Sequence, residues 1–181
     1  MSGTQGLQVS PLRRREFICG IAGIGKTEVA IKVFYRILNE IKENCSFVHH
    51  IGWITYTGNI ESTLIQEFHK ELENQAIQPT WDGICKFLSE FGSDLLIFVD
   101  NFDERKKSAE LQLLSVLGIR LCVTTRCVSL PNIPAKQIIS KLSKSSCRKI
   151  FRLHYTSQKV SNAVLDRIIE LTDRHTLSIN L

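Results

Sequence analysis

Near its N-terminus the chain reads Phe17-Ile18-Cys19-Gly20-Ile21-Ala22-Gly23-Ile24-Gly25-Lys26-Thr27. An apolar run leads into a glycine-rich loop, and Lys-Thr opens a segment with Val29, Val33, Ile37 and Ile41 every fourth residue, flanked by Ala30, Phe34 and Leu38. That spacing predicts one broad apolar helix face. Gly20, Gly25, Lys26 and Thr27 match G-x-x-x-x-G-K-[ST], the phosphate-binding loop. Glycines let successive backbone N–H groups curl around a phosphate, and the positive end of the following helix adds to the field. In such a loop Lys26 reaches the β- and γ-phosphates and the Thr27 hydroxyl ligates Mg²⁺. A coincidental glycine-rich turn is the bland alternative. The placement between strand and helix speaks for the phosphate loop.

Outward from this motif, strand-like and helical segments alternate. Strands are expected at residues 15–19, 47–56, 95–99, 119–125 and 136–140. Helices are expected from the loop to about residue 43, then on the face of Ile60, Leu64, Phe68 and Leu72, and on that of Trp81, Ile84, Cys85, Leu88 and Phe91. Thr80 suits the N-cap of the last, Asn59 or Glu61 the start of the one before, and Gly92 a C-terminal stop. Further helices are expected at 109–117, 144–154 and 159–173, with the start of another at 176–181. Leu95 to Val99 is continuously apolar rather than alternating, as in a parallel strand covered on both faces. The whole reads as an α/β sandwich with a mostly parallel sheet, whose binding residues belong at the strand C-terminal ends.

Asp100 stands at one such end, where the Mg²⁺-associated aspartate of nucleotide hydrolases stands. An aspartate merely capping a strand is the alternative, and the upstream Lys26-Thr27 pair weighs against it. Many such enzymes carry a second acid next. Here that residue is Asn101, which hydrogen-bonds water but takes no proton from it. Asp103 and Glu104 follow as candidate substitutes or as solvated loop acids, and slow hydrolysis is the expectation. Arg126, ending another strand, is placed either to contact a γ-phosphate or simply as a surface arginine.

Composition sets the outer bounds. The 181 residues suit one domain with room for the start of a second, and 43% hydrophobic with 23% charged residues is ordinary for a globular protein. No apolar run approaches the ~20 residues of a membrane span, and residues 1–10 lack a secretory apolar core, so a cytoplasmic location is expected. Six scattered cysteines without a C-x-x-C read as reduced thiols, and the five histidines show no metal spacing. The net charge of +5 comes largely from Arg13 to Arg15 and the 136–149 region, without aromatic interleaving, which points to a solvated surface rather than a nucleic-acid site.

The loop, the Leu95–Asp100 run and Cys122-Val123-Thr124-Thr125-Arg126 together resemble the NB-ARC nucleotide-binding domain. That family belongs to the signal-transduction ATPases with numerous domains, within the P-loop NTPases, and the wording is most similar to bacterial members. The resemblance covers about residues 15–181, through Leu142-Ser143 and Ile150-Phe151 to Arg174–Ile179. It implies a five-stranded parallel sheet in the order 5-1-4-3-2, a lead-in at 1–14, a P-loop core at 15–140 and an incomplete helical subdomain at 141–181. It implies ADP or ATP with Mg²⁺ as cofactors, and nucleotide-dependent self-association in a longer parent architecture. Gly20, Gly23, Ile24, Gly25, Lys26, Thr27, Glu28, Arg126 and Thr176 would contact the nucleotide, Thr27 and Asp100 the metal, and Lys26, Asp100, Asp103 and Arg126 would serve catalysis. Thr176 replaces the family's proline, and Asn101 an acid. The family's upstream Gly-Arg motif is also missing, since Arg13–Arg15 lies too close to Gly20. Three readings stay open: a slow ADP/ATP switch in signalling or defence regulation, a truncated, nucleotide-impaired remnant acting as an interaction module or being a gene fragment, and a P-loop ATPase of vigorous turnover, against which Asn101 counts.

Overall fold

A computed structural model describes residues 15–103, 108–127, 136–139, 141–154 and 160–174. The lead-in at 1–14, Glu104, the prolines at 131 and 134, and the segment 175–181 with Thr176 lie outside the described residues. The chain runs β1 (Arg15–Cys19), α1 (Lys26–Lys42), β2 (His50–Thr55), α2 (Ile60–Glu67), α3 (His69–Asn74), α4 (Trp81–Ser89), a 3-10 turn (Gly92–Asp94) and β3 (Leu95–Asp100). It continues through α5 (Ser108–Val116), β4 (Arg120–Thr125), β5 (Lys136–Ile138), α6 (Lys144–His154) and α7 (Asn162–Leu171).

The strands form one parallel sheet in the order β2-β3-β4-β1-β5, which from the other edge reads 5-1-4-3-2. All six residues of β3 are buried, as its continuous apolar run requires of a strand covered on both faces. Alternation divides the core between those faces. Ile18, Leu96, Phe98 and Cys122 pack against Ala30 and Ile37 of α1. Phe17, Cys19, Ile97, Val99, Leu121 and Val123 pack on the opposite face with residues of α2 to α5, among them Leu64, Leu72, Ile84, Leu88 and Leu114. A separate small cluster joins α6 to α7 through Cys147 and Ile169. A basic α6 meets an acidic α7 there: Arg148 grips Asp166 with two bonds of 2.7 and 2.6 Å, and Lys144 reaches Glu170 at 2.9 Å.

The helix ends follow local chemistry. Asn44, at φ 54°, closes α1 in a Schellman turn, with Cys45 N–H on Glu40 O and Asn44 N–H on Ile41 O, both 3.0 Å. Asn59 Oδ1 accepts from Ser62 N–H at 2.9 Å, and Thr80 Oγ1 accepts from Gly83 N–H at 3.2 Å.

Two expectations are amended. The helix expected through Phe68 divides into α2 and α3, although the i→i−4 ladder continues through Leu64 O and Phe68 O. Phe68 departs from helical dihedrals where its ring lies over Gly52; a side chain there would come within 3.3 Å of it. Gly92 does not simply stop α4: at φ 53° it opens the 3-10 turn that delivers the chain into β3.

Phe98 is 1% exposed, stacks on Trp53 at 5.6 Å and meets Phe34 edge-on at 5.5 Å. Phe98→Ala should lower unfolding stability by about 3–5 kcal/mol, whereas Val116→Ala, at a side chain 84% exposed, should change it by less than about 0.5 kcal/mol. Urea denaturation measures both, and similar losses at the two positions would contradict this account of the core.

Candidate phosphate and metal site

Strand register brings the candidate residues together. Cys19 lies level with Thr125 and Val99 with Val123, so Asp100 comes beside Thr124 just where β1 gives way to the loop. The alternation that sends Leu96 and Phe98 toward α1 also sends Asp100 there, and α1 begins with Lys26 and Thr27. The loop adopts the left-handed region at Gly23 (φ 67°) and Gly25 (φ 100°), where a side chain would be strained. Gly20 is small for another reason: a Cβ on it would lie 2.9 Å from Ile24 Cγ2 and 3.3 Å from Ile139 O. Gly25 caps α1 without a side-chain bond, and the first-turn N–H groups of a helix have no partner within it, so this end suits an anion.

Lys26 folds back over the loop and donates from Nζ to Ile21 O at 3.0 Å. Burial pulls its ammonium below the ordinary lysine value, Arg126 pulls the same way, and Asp103 and Asp100 pull it back up. Lys26 therefore sits within the fields of Asp100, Asp103 and Arg126, which come from two other stretches of sequence.

The metal-side pair is in contact. Thr27 Oγ1 donates to Asp100 Oδ1 at 2.9 Å, with Oδ2 at 3.2 Å. Asp100 is 8% exposed, a depth at which a carboxylate needs hydrogen-bond donors. Thr124, 2% exposed, supplies another: its hydroxyl donates to Asp100 Oδ1 at 2.5 Å while accepting from Asn101 N–H at 2.9 Å. The donor set fits Mg²⁺, because hydroxyl and carboxylate oxygens are the hard ligands it takes alongside water and phosphate. The Thr27 hydroxyl keeps lone pairs for an ion while its hydrogen stays on Asp100.

Beyond Asp100, Asn101 takes the left-handed conformation at φ 64°, which asparagine tolerates well, and is exposed. This turn buries Phe102 against Tyr56, ring centroids 4.6 Å apart, and brings Asp103 back to β4. Asp103 then accepts from Arg126 twice, from Nε at 2.5 Å and from the backbone N–H at 2.6 Å. Its carboxylate is thus engaged by Arg126. Glu28 lies on the exposed first turn of α1, 3.5 Å from Lys32. Ile24 is buried in the loop and Gly23 shapes it.

Thr124 is the functional residue that the sequence reading passed over. Its signal was a polar pair, Thr124-Thr125, closing an otherwise apolar strand, and a strand threonine ordinarily reads as a β-branched strand former. No disulfide joins the cysteines among the described residues, and burial pushes Cys122 up to about 12, with Glu16 adding to it. No cluster of three or more histidine, cysteine or acidic side chains suited to a metal occurs among the described residues, and no described helix is long and apolar enough to cross a membrane.

No family profile matches the chain, and no curated protein does. Solved structures do. A signal transduction ATPase with numerous domains, carrying a tetratricopeptide repeat sensor, from Pyrococcus horikoshii superposes with a TM-score of 0.60 at 21% identity, over 92% of this chain and 26% of that one. The ADP form of the ORC2 protein of Aeropyrum pernix superposes with a TM-score of 0.65 at 16% identity, over 93% of this chain and 55% of that one. This chain spans less than two thirds of either. At these identities the likeness shows the fold alone, a parallel sheet flanked by helices.

Thr124→Val keeps the shape but removes one donor from Asp100 and the acceptor of Asn101 N–H. It should destabilise the protein by about 1–3 kcal/mol, and Thr124→Ser should recover most of that. Chemical denaturation decides, and a valine variant as stable as the unaltered chain would remove Thr124 from the network.

Proposed function

We propose that this chain is an ADP/ATP-binding switch domain of the NB-ARC type, which turns ATP over slowly with Mg²⁺. The observation that carries the reading is the Thr27 hydroxyl seated on the buried Asp100 carboxylate beneath a loop spanned by Lys26. A generic glycine-rich turn has no reason to align a lysine, a hydroxyl and a buried carboxylate in this way. The left-handed glycines and the open end of α1 supply the phosphate cradle.

In this reading Gly20, Gly23, Ile24 and Gly25 shape the cradle, Lys26 leaves Ile21 O for the β- and γ-phosphates, and Thr27 with Asp100 holds Mg²⁺. Bound Mg²⁺ would neutralise phosphate charge. Arg126 stands at the β4 end to meet the terminal phosphate. Slow turnover follows from two residues: Asn101 carries no basic group, and Asp103 is committed to Arg126. A site that binds well and hydrolyses slowly stores a state, so the bound nucleotide is the output and hydrolysis resets it. The P. horikoshii ATPase is a signal-transduction protein, and a signalling or defence role in a larger cytoplasmic assembly is proposed on that analogy. Residues 15–140 form the nucleotide core in this proposal, and α6 and α7 belong to a helical subdomain beside it.

Lys26→Ala should lower ADP affinity by at least about a hundredfold, because a charge-assisted phosphate contact is lost from a partly buried site. Titration calorimetry measures this. Unchanged affinity would place the nucleotide elsewhere or nowhere, and turnover near ~10 s⁻¹ would turn the reading from a switch into a working ATPase.

A further inference from the structure

Asp103 bonds twice to a single residue. Oδ2 accepts from Arg126 Nε and Oδ1 from Arg126 N–H, so one carboxylate grips side chain and backbone together. Neither can turn without giving up a charge-assisted bond. Asp103 is itself anchored. Phe102, fully buried, donates its N–H to Thr124 O at 3.0 Å, and Cys127 Sγ reaches Asp103 O at 3.2 Å. The Asp103 side chain is 19% exposed and that of Arg126 54% exposed, so the holder is the more sheltered of the two.

Both carboxylate oxygens of Asp103 are already engaged, Oδ2 by the guanidinium and Oδ1 by the amide. Removing a proton from water would mean abandoning Arg126. The guanidinium, by contrast, carries five N–H donors, and Asp103 takes the one at Nε. Gly20 N–H donates to Thr125 O at 3.2 Å, so Arg126 follows directly where the glycine-rich loop leaves β1. The pair therefore stands beside that loop.

Resting on the nucleotide-binding reading above, we infer that Asp103 is a positioning residue that presents the terminal N–H groups of Arg126 to the terminal phosphate. It thereby sets the preference for triphosphate over diphosphate. Holding the arginine in place beforehand removes the ordering cost that a free side chain would meet on binding. A diphosphate, lacking that phosphate, gains nothing from it.

The test is calorimetric titration of the full chain with ADP and with a non-hydrolysable ATP analogue, both with excess Mg²⁺. Asp103→Ala should cut the analogue-to-ADP affinity ratio about tenfold, with the loss falling on the analogue. Asp103→Asn keeps an acceptor for Arg126 N–H and should recover part of the ratio. It also decides the matter if the alanine variant binds neither nucleotide because it has not folded. An unchanged ratio in the asparagine variant with turnover abolished would make Asp103 the base and overturn the inference, as would a ratio that rises. Binding of neither nucleotide by the unaltered chain would instead end the nucleotide reading, and this inference with it.

Discussion

The buried carboxylate of Asp100 is the constraint on which the site depends. It sits at the end of a fully buried strand, and its charge must be met by donors from other segments. Thr27 supplies one from the start of α1 and Thr124 another from β4. Three segments distant in sequence are therefore tied at one point, and the phosphate loop is held between two of them. Gly20 N–H on Thr125 O at 3.2 Å and Ile139 N–H on Cys19 O at 2.8 Å fasten the loop's base on both sides.

From that knot the electrostatics spread outward. Thr124 accepts Asn101 N–H, which supports the left-handed turn; the turn buries Phe102 and returns Asp103 to Arg126. One chain of bonds thus joins the metal side to the arginine side. Asn101 makes that turn easy, since asparagine adopts the left-handed region at little strain.

Much of this was legible in the sequence, for identifiable reasons. The loop is written in glycines, two of them left-handed, and β3 in an apolar run too continuous for a half-exposed strand. Lys26, Thr27, Asp100 and Arg126 follow from those elements because parallel strands put their chemistry at one end. The role of Thr124 was not legible, because a hydroxyl serving a carboxylate and a β-branched residue filling a strand are the same letter. Nor was the pairing of Asp103 with Arg126, which spans 23 positions and exists only because Asn101 turns the chain left-handed. The division at Phe68 likewise answers to tertiary packing over Gly52 rather than to helix periodicity.

The most direct measurement is the nucleotide content of the freshly purified protein, released by denaturation and separated by chromatography. A switch that holds its product should carry ADP in an amount close to one per chain, without any having been added. A chain that emerges empty and takes up no Mg²⁺-ATP when supplied would contradict the account. The loop, lysine and carboxylate would then be a fold retained without its ligand.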